Sequence, residues 1–140
     1  MDNNKFATAI TCMDGRVQEP VSSWMKQHLH VDYVDTITEA GPDKILIQGP
    51  LDGLDAMKQV ESLQRKARLS VEAHGSCAIA VVGHHDCAGN PVSREEHLQQ
   101  IRKCVEVVAS WGLGVRILGL WVNEQWGVEV IADTQGRGSG

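Results

Sequence analysis

The sequence lacks any run of lysine or arginine, and its 13 basic residues are outnumbered by 18 acidic ones, leaving a formal charge of −5. A nucleic-acid binder needs a basic face to displace phosphate counterions, so the balance argues against that class. Arg65, Lys66 and Arg68 lie close together but read as the solvated side of a helix. No window approaches the roughly 20 apolar residues of a membrane span. The first residues, MDNNKFATAITC, hold no apolar stretch preceded by positive charge, so they do not read as a secretory signal, and a cytoplasmic location is expected. Glycine and proline, 14 and 4 residues, are not in excess, which argues against wholesale disorder. There is no internal repeat. What is present is 140 residues with 42% hydrophobic and 22% charged content, enough for one domain with a real core. Cys12, Cys77, Cys87 and Cys104 in a cytoplasmic chain are thiols or metal ligands; in a secreted chain they would read as two disulfides.

Strand-like and helix-like stretches alternate. Residues 6–11 are a short apolar run ending at Cys12. Val21, Trp24, Met25, His28 and Leu29 then recur at helical spacing, with Pro20 suited to a first helical turn. Residues 33–38 alternate and carry β-branched side chains, a second strand closed by Gly41-Pro42. Gly49-Pro50 opens a long helix with Leu51, Leu54, Met57, Val60, Leu63 and Ala67 as its apolar stripe, and Gly75 sits at its C-cap. Residues 78–82 are continuously apolar, as a strand buried on both faces requires. Ser93 and Glu96 form a capping box for a helix whose inner face is Leu98, Ile101, Val105 and Val108. Residues 115–122 and 127–132 are two further strands, and their short link favours an antiparallel pair. The expected fold is α/β: a mostly parallel sheet of about five strands, the last antiparallel, flanked by helices. The domain is expected over residues 1–133, with a flexible Gly-rich tail over 134–140.

Cys12 falls at the end of the first strand, and His84 and Cys87 fall just after the third. Ligands of such sheets bind beyond the carboxyl ends of the strands. If those two strands are neighbours, the three side chains meet at one rim. Two thiolates and one imidazole suit a zinc site of the catalytic type, with its fourth position open. Cys77 is at the wrong end of its strand, and Cys104 is on the inner side of a helix; both read as core cysteines. Asp14 and Arg16 follow Cys12 at alternate positions and would face one side if that segment stayed extended. Asp14 is either a fourth ligand or an acceptor that orients metal-bound water, and Arg16 can keep it ionised.

The segments CMDGR at 12–16 and GHHDCAG at 83–89 carry a resemblance. The sequence resembles the β-class carbonic anhydrases, which carry C-x-D-x-R after the first strand and H-x-x-C after the third. TEAGP at 38–42 is a fainter echo of their R-N-A-G segment. The resemblance implies a zinc lyase that hydrates CO2 to bicarbonate through zinc-bound hydroxide. Cys12, His84 and Cys87 would hold the metal, and Asp14 and Arg16 would form a gating dyad, with a homodimer or higher homo-oligomer as the assembly. This chain departs from the family pattern in three places: only eleven residues precede Cys12, where the family has a helical arm; Glu39 replaces the arginine; and Ala88 follows Cys87. Two alternatives stay open: hydrolysis of COS or CS2 on the same scaffold, and a zinc-binding module without hydratase activity.

His85 is either a proton shuttle or solvent-exposed, and Asp86 either receives a hydrogen bond or caps a turn. His28, His30, His74 and His97 read as surface or helix-end residues. Trp24, Trp111, Trp121 and Trp126 read as core or subunit contact.

Overall fold

The structure is a computed structural model that describes residues 4–135. The elements run β1 (Phe6–Cys12), α1 (Gly15–Leu29), β2 (Tyr33–Glu39), α2 (Pro42–Ile45), α3 (Leu54–His74), β3 (Ala78–His84), α4 (Arg94–Ala109), β4 (Arg116–Val122) and β5 (Val128–Asp133). A 3-10 turn over Pro50–Asp52 leads into α3. The strands form one sheet in the order β2-β1-β3-β4-β5. The first four are parallel and β5 is antiparallel to β4. This is the sheet the alternating pattern predicts.

β3 explains the continuous apolar run, because all seven of its residues are buried. Helices cover both faces of the sheet. Val17, Val21 and Met25 of α1 pack with Ala7, Ala9, Ala80, Val82 and Leu118 on one side. Leu63 and Ala67 of α3 and Cys104, Val105 and Val108 of α4 pack with Ile10, Ile79 and Val81 on the other. Each large aliphatic side chain sealed there contributes about 1.5–3 kcal/mol. The chain winds from β1 outward to β2, then returns across β1 to β3, so strand order reverses between β1 and β3. Their carboxyl ends therefore open the crevice in which such sheets bind ligands.

Some local expectations change. α1 begins at Gly15, so Pro20 lies inside the helix and not in its first turn. The stronger start signal is Asp14, whose carboxylate accepts the Arg16 N–H at 2.9 Å and caps the helix. Asp14 and Arg16 are therefore not on an extended segment. Residues after Gly41 form the short helix α2 in place of a plain turn, with Gly41 left-handed at φ 68°. Cys77 is exposed because it precedes β3 at the open end of the sheet. Cys104 is buried as expected. Trp121 is buried within β4 and so is core. His97 is buried, not a surface residue, because α4 turns it inward onto Asp43. Gly75 is left-handed at φ 66° and ends α3 as expected. Among the described residues, no helix is long and apolar enough to cross a membrane. Of the tail expected from 134 onward, residues 136–140 lie outside the described residues.

Candidate metal centre

Neighbouring β1 and β3 bring Cys12, His84 and Cys87 together, all buried, with one ligand atom from each within 4.8 Å of the others. The two sulfurs are 3.9 Å apart. That is too long for a disulfide. It suits a tetrahedral cation, since two Zn–S bonds of about 2.3 Å at the tetrahedral angle span about 3.8 Å.

His84 Nδ1 lies 2.7 Å from the His85 carbonyl oxygen. A carbonyl can only accept, so Nδ1 carries the proton and Nε2 presents a lone pair. That Nε2 is buried and has no hydrogen-bond partner. A buried acceptor left without a partner is costly unless something else fills its place. A metal-ligating histidine typically donates its second ring nitrogen to a carbonyl in this way. Burial lowers the His84 pKa, which favours the neutral, ligating form. Burial first, and then the neighbouring Cys12, push the Cys87 thiol up to about 12. Cys87 therefore favours its thiol until a cation displaces the proton.

Asp14 and Arg16 stand at the rim through the helix cap. Arg16 Nε and a terminal nitrogen donate to the two Asp14 oxygens at 3.1 and 2.7 Å. Those side-chain bonds, then the Arg16 backbone N–H, hold the Asp14 carboxyl at about 2. Arg16 also donates to the Asp86 carboxylate at 3.3 Å and to the Asp86 carbonyl at 3.2 Å. The donor to Asp86 is thus the Arg16 side chain. His85 is exposed and lies edge-on to Trp126 at 6.5 Å.

The loop carrying Cys87 rests on the segment after β2, the stretch that echoes R-N-A-G. A Cβ on Gly89 would lie 2.6 Å from the Ala40 carbonyl carbon, so the two backbones touch. Beneath them Asn90 donates to Asp43 at 3.1 Å and to Gln100 at 2.6 Å. His97 Nδ1 donates to the other Asp43 oxygen at 2.6 Å. Asp43 and His97 are both buried, and these bonds offset the cost of removing them from water. Gln18 donates to the carbonyls of Cys12 and Asp14, 2.8 Å each, and fixes the opposite wall. Asp43, Asn90, Gln100 and Gln18 are supporting residues that the motifs do not signal. The available cue was Asn90 directly after Gly89 in the conspicuous run.

The family model described as "Putative carbonic anhydrase" matches residues 2–132. No curated protein matches the sequence significantly. Among solved structures, a β-carbonic anhydrase of Trichomonas vaginalis is 16% identical with TM-score 0.56, covering 95% of this chain and 87% of its own. A carbon disulfide hydrolase is 22% identical with TM-score 0.58, covering 91% and 78%. A tetrameric β-carbonic anhydrase of Sordaria macrospora is 11% identical with TM-score 0.56, covering 95% and 84%. With this fold, and with CMDGR and GHHDCAG meeting at one rim, the chain belongs to the β-class carbonic anhydrase family.

Proposed function

We propose that this chain is a zinc-dependent lyase, a carbonate dehydratase that interconverts CO2 and bicarbonate, with Cys12, His84 and Cys87 as its zinc ligands. One observation carries the reading. The unpartnered buried Nε2 of His84 sits with two sulfurs spaced for a tetrahedral ion. The chemistry that a bound zinc supplies is acidification of a coordinated water towards ~7.

The chain's own groups do the rest. Three ligands leave a fourth position open. The His85 carbonyl fixes the His84 tautomer and aims its lone pair. Arg16 engages both Asp14 oxygens, so Asp14 stays ionised and can orient solvent at the fourth position. Released from Arg16, the same carboxylate can become the fourth ligand. Asn90, Asp43 and His97 hold the Cys87 loop at its distance from β1.

Hydrolysis of COS or CS2 is a second reading, favoured by the fold shared with a carbon disulfide hydrolase. All these substrates are linear and electrophilic at carbon, so one site serves them. The four free cysteines suit a reducing compartment such as the cytoplasm. A homodimer or higher homo-oligomer is the assembly we propose, in line with the tetrameric relative. Stopped-flow CO2 hydration above pH 8 by zinc-loaded protein tests the lyase. A rate above buffer supports it. No rate with zinc bound leaves CS2 hydrolysis, read as sulfide release, or a non-catalytic zinc module.

A further inference from the structure

Trp126 stands in the turn between β4 and β5, and its backbone is left-handed at φ 62°. A bulky residue in that region is a strained outlier that glycine would avoid. The turn is built to hold it there. Asn123 accepts from the Gln125 and Gly127 N–H groups through its side chain, 3.0 Å each, and from the Trp126 N–H through its carbonyl at 2.9 Å. The Asn123 amide in turn donates to Glu129 at 2.7 Å. The result is that the indole packs against the core cluster containing Cys12 and Cys87 and lies under Arg16, whose guanidinium carbon is 4.8 Å from the ring centroid.

Arg16 is a long, half-exposed side chain, its relative exposure 48%. Its ion pair with Asp86 lies at the surface, where solvent screens it, while that with Asp14 is half-buried. The Trp126 ring lies against the guanidinium carbon and shields it on one side, a contact that solvent does not screen as it does a surface ion pair. Held in that place, the fork meets both oxygens of Asp14 at once.

We propose that Trp126 is a positioning residue of the metal centre: by packing beneath the Arg16 guanidinium, it keeps Asp14 engaged and the fourth metal position open to an outside ligand. The inference rests on the reading that Cys12, His84 and Cys87 hold a metal. Local strain at Trp126 is then retained for what the indole does to Arg16.

Cobalt(II) substitution with thiocyanate as the added ligand tests it by visible absorption. Wild-type protein should show thiolate-to-cobalt charge transfer and d–d bands that shift on thiocyanate binding. In Trp126→Leu and Trp126→Gly, Asp14 competes for the fourth position, and the apparent thiocyanate affinity should fall about tenfold, the competent fraction falling in proportion. Trp126→Phe, which keeps an aromatic face, should stay near wild type. Adding Asp14→Asn to either weakened variant should restore affinity, which a general distortion would not allow. The glycine variant relieves the left-handed backbone, so it decides the matter if the leucine variant fails to take up cobalt. Unchanged thiocyanate affinity in the variants that load cobalt, or a loss that Asp14→Asn does not restore, would overturn the proposal. Absence of the charge-transfer band in wild type would instead refute the metal reading, and this inference with it.

Discussion

Replacing Gly89 by alanine adds one methyl where the Cys87 loop meets the segment after β2. The new Cβ would stand 2.6 Å from the Ala40 carbonyl carbon and 2.9 Å from its Cβ and its oxygen. Ordinary contact begins at 3.4 Å, so the loop must retreat by about 0.8 Å from a backbone that cannot bend away like a side chain tip. Overpacking of this kind costs about 1–3 kcal/mol. The displacement also exceeds the roughly 0.2 Å within which metal–ligand distances are held. Cys87 lies two residues away, so zinc affinity should drop about 10–100-fold, the cost typical of disturbing a ligand's support. Gly15→Ala is the control, because nothing lies within 4 Å of its added Cβ and it starts α1. That change should be neutral or stabilise by up to about 1 kcal/mol. Urea unfolding of the metal-free proteins and a chelator-competition titration of zinc measure the two effects separately. A Gly89→Ala protein that unfolds with wild type and holds zinc within twofold would refute the claim that contact with Ala40 sets the position of Cys87.

Three other outcomes follow from the same geometry. Cys87→Ser should remove the zinc-dependent rise in melting temperature, several degrees for a domain of this size, and leave the metal-free melting points close together; an undiminished zinc response in calorimetry would count against Cys87 as a ligand. His97→Ala leaves the buried Asp43 carboxylate short of its 2.6 Å partner and should cost about 3–5 kcal/mol in urea unfolding, whereas a loss below 1 kcal/mol would show that water replaces the imidazole at no penalty. Met25→Ala empties a fully buried position on α1 and should cost about 2–5 kcal/mol, with zinc stoichiometry by elemental analysis unchanged because Met25 lies about 15 Å along α1 from the helix start at Gly15.

The sheet was legible in the sequence because its periods are strong. The buried run of β3 and the alternation in β2 each admit one reading, and the short link before β5 dictates its direction. Cys12, His84 and Cys87 were legible because strand ends are where side chains of distant segments converge. The departures have local causes. An Asp N-cap outweighed a proline as the start of α1, so the dyad forms through a cap and not along an extended strand. His97 was invisible as a buried residue because its partner, Asp43, lies 54 residues earlier on a four-residue helix too short to show periodicity. Trp126 read as core or subunit contact, since only the folded turn brings it under Arg16, 110 positions earlier in the sequence. For His97 and Trp126 the missing information is a long-range contact, which carries no period of its own.

The atoms that surround a bound zinc decide most directly whether Cys12, His84 and Cys87 are its ligands. X-ray absorption at the zinc edge of stoichiometrically loaded protein reads that shell. The prediction is two sulfurs at about 2.3 Å, one imidazole nitrogen and one light-atom ligand at about 2.0–2.1 Å, with one sulfur lost in Cys12→Ser and one in Cys87→Ser. A shell of four sulfurs, a shell with none, or one indifferent to both substitutions would contradict the assignment of Cys12, His84 and Cys87.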